Sequence, residues 1–98
     1  MYVILWEFEV RAERAGEFEL AYGPSGAWAR LFAKGDGFLG TELLHDHEAR
    51  CRYVTIDRWA SRAAFEAFGE RYREQYAELD ARCEALTERE TLIGRFGT

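Results

Sequence analysis

Residues 53–65 (Tyr-Val-Thr-Ile-Asp-Arg-Trp-Ala-Ser-Arg-Ala-Ala-Phe) pass from strand period to helix period within two residues. Cys51, Tyr53, Thr55, Asp57 and Trp59 share one face of an expected strand over 51–59, and Val54 and Ile56 point the other way. Ser61 then stands where its hydroxyl can accept a hydrogen bond from a first-turn backbone N–H that has no other partner. A join this short fixes where sheet stops and helix starts. It also sets the Trp59 ring at the corner between the two layers.

Beyond Ser61, the residues Phe65, Phe68, Tyr72, Tyr76, Leu79, Cys83 and Leu86 recur at steps of three and four. That spacing predicts one continuous apolar stripe along a long helix. Gly69 lies within it and marks the expected bend, because glycine costs about 1 kcal/mol relative to alanine in a helix interior. Thr87 and Glu90 are read as caps of a small turn, with a last short strand over Thr91 to Phe96.

Upstream, Tyr2, Ile4, Trp6, Phe8 and Val10 alternate with Val3, Leu5, Glu7 and Glu9, which is strand period. Glu13 to Tyr22 reads as helix until Gly23-Pro24-Ser25-Gly26 interrupts it. Proline lacks a backbone donor and disfavours helix in the residue before it. Ser25 is placed to cap a second short helix over 26–33 that carries Trp28, Leu31 and Phe32. After the turn cluster Lys34-Gly35-Asp36-Gly37 comes a strand from Phe38 to Asp46. Simple alternation puts Phe38, Gly40, Glu42 and Leu44 on one of its faces and Leu39, Thr41, Leu43 and His45 on the other. A hairpin leads on to residue 51.

The order is β-α-β-β-α-β. With right-handed crossovers this gives an α+β, ferredoxin-like domain over residues 1–98: a four-stranded antiparallel sheet with helices on one face. The uncovered face still carries aliphatic and aromatic side chains, so a homodimer with sheet against sheet is expected. A 98-residue chain points the same way. Domains this small bury only about 60–65% of their unfolded surface, and a partner adds to that.

Composition narrows the function classes. The chain is 48% apolar, which excludes disorder, and its net charge of −5 disfavours a nucleic-acid partner. No apolar run reaches the roughly 20 residues of a membrane span, and the first residues lack the basic start of a secretion signal. A cytoplasmic protein with no membrane partner is the expectation. Cys51 and Cys83, without CxxC spacing, read as free thiols that pack as small hydrophobes.

Several side chains carry possible chemistry. Trp59 can offer its ring and N–H to a planar ligand, or simply seal the corner. Tyr72, Tyr76 and Phe68 lie on the helix stripe, as pocket wall or as core. Tyr22 and Trp28 flank the broken helix, which bends around a ligand or around a partner subunit. Asp57 can orient a base or pair with Arg52 or Arg58. His45-Asp46-His47 has His-x-His spacing, and at a hairpin it reads either as a metal pair or as a solvated turn.

Three stretches carry a family resemblance: Trp6-Glu7-Phe8-Glu9-Val10, Gly37-Phe38-Leu39-Gly40-Thr41-Glu42-Leu43-Leu44, and the join from Tyr53 to Phe65. In these the chain resembles the antibiotic biosynthesis monooxygenase family, small proteins of the dimeric α+β barrel class. The resemblance implies a cofactor-independent monooxygenase acting on a phenol or quinol, with no cofactor and no metal. It matches Trp59 to a tryptophan that family oxygenases use near the end of the third strand. Trp59, Tyr72 and Arg58 are then the catalytic candidates, and Trp28, Tyr22, Tyr53, Tyr76 and Phe68 the substrate-pocket candidates. Family oxygenases also tend to use a nearby asparagine, and this chain contains none. Haem-degrading relatives carry Phe-x-x-His on the second helix, where this chain has Phe65-Glu66-Ala67-Phe68. The alternative left open is a non-catalytic dimer that binds a small molecule, or a stress-related accessory protein.

Overall fold

The strands β1 (Tyr2–Val10), β2 (Phe38–His45), β3 (Arg52–Trp59) and β4 (Thr87–Gly97) form one sheet in a computed structural model that describes all 98 residues. Their order is β2-β3-β1-β4, and every neighbouring pair is antiparallel. Helices α1 (Ala15–Tyr22) and α2 (Ala27–Phe32) connect β1 to β2, and α3 (Arg62–Arg71) and α4 (Arg73–Cys83) connect β3 to β4. This is the expected α+β, ferredoxin-like order, with each helical arm broken in two. No helix is long and apolar enough to cross a membrane.

Close packing at Gly26 shapes the first break. A Cβ there would stand 2.4 Å from the carbonyl oxygens of both Leu20 and Ala21, so the chain reverses where no side chain fits. Gly26, not Ser25, is the N-cap of α2, and no side chain caps it. The Arg30 guanidinium instead donates to the Ser25 carbonyl at 2.7 Å. The second arm breaks at Tyr72 rather than at Gly69. Tyr72 leaves helical geometry (φ −112°, ψ 29°), while its N–H still bonds the Phe68 carbonyl at 2.9 Å. The bend sends Phe65 and Phe68 to one end of the sheet and Tyr76, Leu79 and Cys83 to the other. At the start of α3 the Ser61 hydroxyl accepts the Ala64 N–H at 3.1 Å, as the sequence pattern predicts.

Two strand readings change. Gly40 adopts φ +140°, open to glycine, and the β2–β3 register slips between Phe38 and Gly40. That bulge places Phe38 opposite Trp59, on the same side of the sheet as Thr41, Leu43 and His45. Simple alternation separates these residues. β4 begins at Thr87, so Thr87 to Glu90 is strand and not a capped turn. Its polar residues hide the strand from a periodicity reading, yet backbone pairing with β1 holds it along its length. A second irregularity, between Leu5 and Trp6, leaves Ile93 outside the ladder.

The core lies between sheet and helices and is largely aromatic. Phe18 stacks on Tyr22 with ring centroids 4.2 Å apart, and Phe8 meets both edge-on. Trp59 is fully buried among Phe32, Phe38, Phe65 and Phe68, at centroid distances of 5.1–5.9 Å. Cys83 is buried in the core and Cys51 half-buried, both as free thiols. On the opposite face of the sheet Val3, Leu5, Val54 and Ile56 are half-buried, and Leu44 and Phe96 are 47% and 51% exposed.

Candidate functional site

Phe32 divides the helix–sheet interior. On one side of it Trp59 packs shut. On the other a cavity of about 210 Å³ opens between the layers. All four strands contribute to its floor: Trp6 and Phe8 from β1, Thr41 from β2, Thr55 and Asp57 from β3, and Glu90 from β4. The roof comes from Tyr22 at the end of α1, Trp28 and Phe32 on α2, and Tyr76 and Asp80 on α4. The break at Gly26 makes this possible, because it turns Trp28 back over the sheet to meet Tyr76 edge-on at 4.9 Å.

Asp57 is the chemically distinctive group. It is 7% exposed and sits in the inward row of β3, where apolar side chains would ordinarily stand. The Thr41 hydroxyl, directly opposite on β2, donates to its carboxylate. The arginines that adjacency suggested are engaged elsewhere. Arg52 pairs with Glu7 and, at 3.1 Å, with Asp46, and Arg58 pairs with Glu42. Burial without a counter-ion pushes the Asp57 carboxyl up to about 6, with the Thr41 hydrogen bond opposing part of the rise. Burial also raises Glu90, and the charges of Asp80 and Glu84 add to it. Tyr76 is pushed up to about 12, first by burial and then by the charges of Asp80, Glu90 and Asp57, against a smaller opposing effect of Arg95. Burial drives the Tyr22 phenol far above its ordinary range. No Lys, Arg or His lines the cavity. The buried Nε1–H of Trp59 has no hydrogen-bond partner, and that of Trp28 lies beside the Tyr22 hydroxyl and the Cys83 thiol.

Of the residues singled out from the sequence, the cavity gathers Tyr22, Trp28, Asp57 and Tyr76. Trp59 and Phe68 lie behind Phe32, with Phe68 in ring contact with both Phe32 and Trp59. The Tyr72 hydroxyl donates to the Lys34 carbonyl at 3.2 Å, outside the lining. Tyr53 is buried further along β3, where its hydroxyl donates to Glu19 and its ring stacks on His45 at 4.1 Å. Arg58 lies on the open face of the sheet beside Glu42. His45 bonds the Arg50 carbonyl at 2.6 Å and His47 is exposed, and no three or more His, Cys, Asp or Glu side chains are placed to hold a metal ion.

The lining residues not predicted from sequence left readable traces. Thr55 is a polar residue in the buried row of a strand. Asp80 follows Tyr76 by four residues, which puts both on one helix face. Glu90 is brought in by its pairing opposite Phe8, which local pattern does not reveal.

These features define an α+β protein with a ferredoxin-like sheet, an aromatic-walled cavity beneath its helices and a carboxylate on the cavity floor. Residues 1–78 match the family model described as antibiotic biosynthesis monooxygenase, and the chain belongs to that family. Its fold is shared with solved structures of low sequence identity. A variant of SnoaB, a cofactor-independent oxygenase from Streptomyces nogalater, is 22% identical, with 99% of this chain and 91% of that one covered and a TM-score of 0.75. A Bordetella bronchiseptica protein of the same family name is 19% identical, at coverages of 99% and 95% and a TM-score of 0.77. PA3566 from Pseudomonas aeruginosa is 20% identical, at 99% and 92% and a TM-score of 0.68. Comparison with curated proteins gave no match.

Proposed function

We propose that this chain is a cofactor-independent monooxygenase for a one-ring phenol or quinol, bound in the cavity above Asp57 and acting as a homodimer. The observation that carries the proposal is a buried carboxylate on the floor of an aromatic-walled cavity. A cavity of 150 Å³ takes up benzene, so about 210 Å³ suits a single substituted ring. Family membership and the fold shared with a cofactor-independent oxygenase support the reaction class.

In the proposed reaction Asp57 accepts the phenol proton. With its carboxyl held near 6, it stands roughly 4 pH units below a phenol near 10, against roughly 6 for an ordinary aspartate. The electron-rich ring then supplies electrons to O₂. One oxygen atom bonds to an unsubstituted ring carbon ortho or para to the hydroxyl. The O–O bond breaks and the other oxygen leaves as water. A phenol and O₂ give the corresponding ortho- or para-quinone and water, a balance that needs no outside reductant. Trp59 and Phe68 act as positioning residues that hold Phe32 against the ring. Tyr53, Tyr72 and Arg58 carry no step of this proposal.

An oxygen electrode tests it. Wild-type protein mixed with hydroquinone or 4-methylphenol consumes O₂, and Asp57→Asn slows consumption about 100-fold with ring binding retained. A second reading is favoured by one observation: the lining holds no cation to stabilise a phenolate. In that reading the protein is a binder without turnover. Ring binding with no O₂ consumption by any phenol selects it over the oxygenase.

A further inference from the structure

The rim of the cavity differs chemically from its depth. Asp57 and Trp28 lie deep, 7% and 6% exposed, whereas Asp80, Glu90 and Tyr76 stand at the solvent side. None of the three carboxylates has an ion-pair partner anywhere in the fold, although other acidic residues do. They are not gathered as a metal set. Arg95 is the cation whose charge reaches Tyr76, and it is not part of the lining. The walls are aromatic faces, which attract cations. At the deep end the Asp57 carboxylate bonds only the Thr41 hydroxyl.

We infer that the molecule this cavity takes up is a phenolic amine, with its hydroxyl at Asp57 and its protonated amino group at the rim between Asp80, Glu90 and the Tyr76 ring. The inference rests on the proposed binding of a one-ring phenol in the same cavity and adds the charge of the substituent. Two observations meet in it: a buried carboxylate at one end has a single hydrogen-bond partner, and at the other two carboxylates without ion pairs border an aromatic cavity whose lining holds no Lys, Arg or His. A phenol bearing a carboxylate arm would instead face Asp80 and Glu90 across a short distance.

Three probes with the same phenolic ring separate the ideas: tyramine (cationic arm), 4-methylphenol (neutral) and 4-hydroxyphenylacetate (anionic arm). Affinities are read from quenching of tryptophan fluorescence at low salt and pH 7.5. Tyramine is expected to bind about fivefold tighter than 4-methylphenol and about tenfold or more tighter than 4-hydroxyphenylacetate. The preference shrinks at 0.5 M salt, as screening requires. Asp80→Asn with Glu90→Gln is expected to bring tyramine and 4-methylphenol to equal affinity. Equal affinities, or tightest binding of the anion, overturn the amine inference and leave the phenol site standing. Failure of all three probes to bind overturns both.

Discussion

The Thr41 hydroxyl donates to the Asp57 carboxylate from the directly opposed position on the neighbouring strand. This is the one side-chain hydrogen bond that Asp57 makes within the fold, and no arginine or lysine joins it. Burial therefore outweighs stabilisation, and the carboxyl holds its proton up to about pH 6. The chemistry assigned to the cavity depends on this balance.

The first consequence is a pH-dependent stability. An unfolded aspartate titrates near 3.9, and the folded one near 6, so the folded state binds this proton more tightly. The resulting stabilisation is complete below about pH 3.9 and is lost as the pH rises through 6. Asp57→Asn lacks that loss. Its stability relative to wild type, from urea denaturation, is expected to rise by about 3 kcal/mol between pH 3.5 and pH 8. A difference that stays constant with pH contradicts the account of Asp57.

Thr41→Val removes the donor but keeps the shape. The charged form of Asp57 then loses its hydrogen bond, so its carboxyl titrates still higher. The expected cost is about 1.5–3 kcal/mol at pH 8 and clearly less at pH 4, where the carboxyl is protonated. A carboxyl carbon NMR titration of Asp57 in the variant reads the upward move directly.

Much of this architecture was legible in the sequence, for physical reasons that differ by element. The alternation of Tyr53, Thr55, Asp57 and Trp59 placed these residues on the inward face, because side chains in a strand must alternate. The Ser61 cap located the start of α3, because first-turn N–H groups need a partner. β4 was legible only from Thr91 onward. The stretch from Thr87 to Glu90 is held by backbone bonds to β1, and charged exposed side chains leave no apolar period. The break at Tyr72 lay hidden for a related reason, since one apolar stripe serves two helices packed on different parts of the sheet. The cavity was half visible. Tyr22, Trp28 and Tyr76 announce themselves as aromatics beside a break or on a stripe. Glu90 and Thr41 reach the site through pairings between distant segments, and Asp57 was seen without the knowledge that its neighbouring arginines turn to Glu42, Glu7 and Asp46.

Trp59 offers a separate test, since full burial among four phenylalanines makes its ring a packing element whatever else it does. Trp59→Ala is expected to cost about 3–5 kcal/mol in chemical denaturation. Trp59→Phe should cost less than half of that, because most of the ring contact survives and an unpartnered buried N–H is removed. If Trp59 acts only by holding Phe32, the phenylalanine variant keeps its affinity for 4-methylphenol. A large affinity loss in a stably folded Trp59→Phe protein would show direct contact with the ring.

The open face of the sheet carries the dimer proposal. Val3, Leu5, Val54, Ile56, Leu44 and Phe96 share it with Glu42, Arg58 and Glu7. Placing a charge in its centre, as in Ile56→Glu, is expected to convert a micromolar dimer to monomer in sedimentation velocity, with the helix-side core intact by circular dichroism. Wild-type protein that sediments as a monomer at those concentrations contradicts the proposed dimer.

The most direct test of the whole account is a crystal structure with 4-methylphenol bound. The account predicts one ring enclosed by Trp6, Trp28 and Phe32, with its hydroxyl within hydrogen-bond distance of Asp57. A ring lodged elsewhere, or a cavity whose side chains close and admit none, would contradict it.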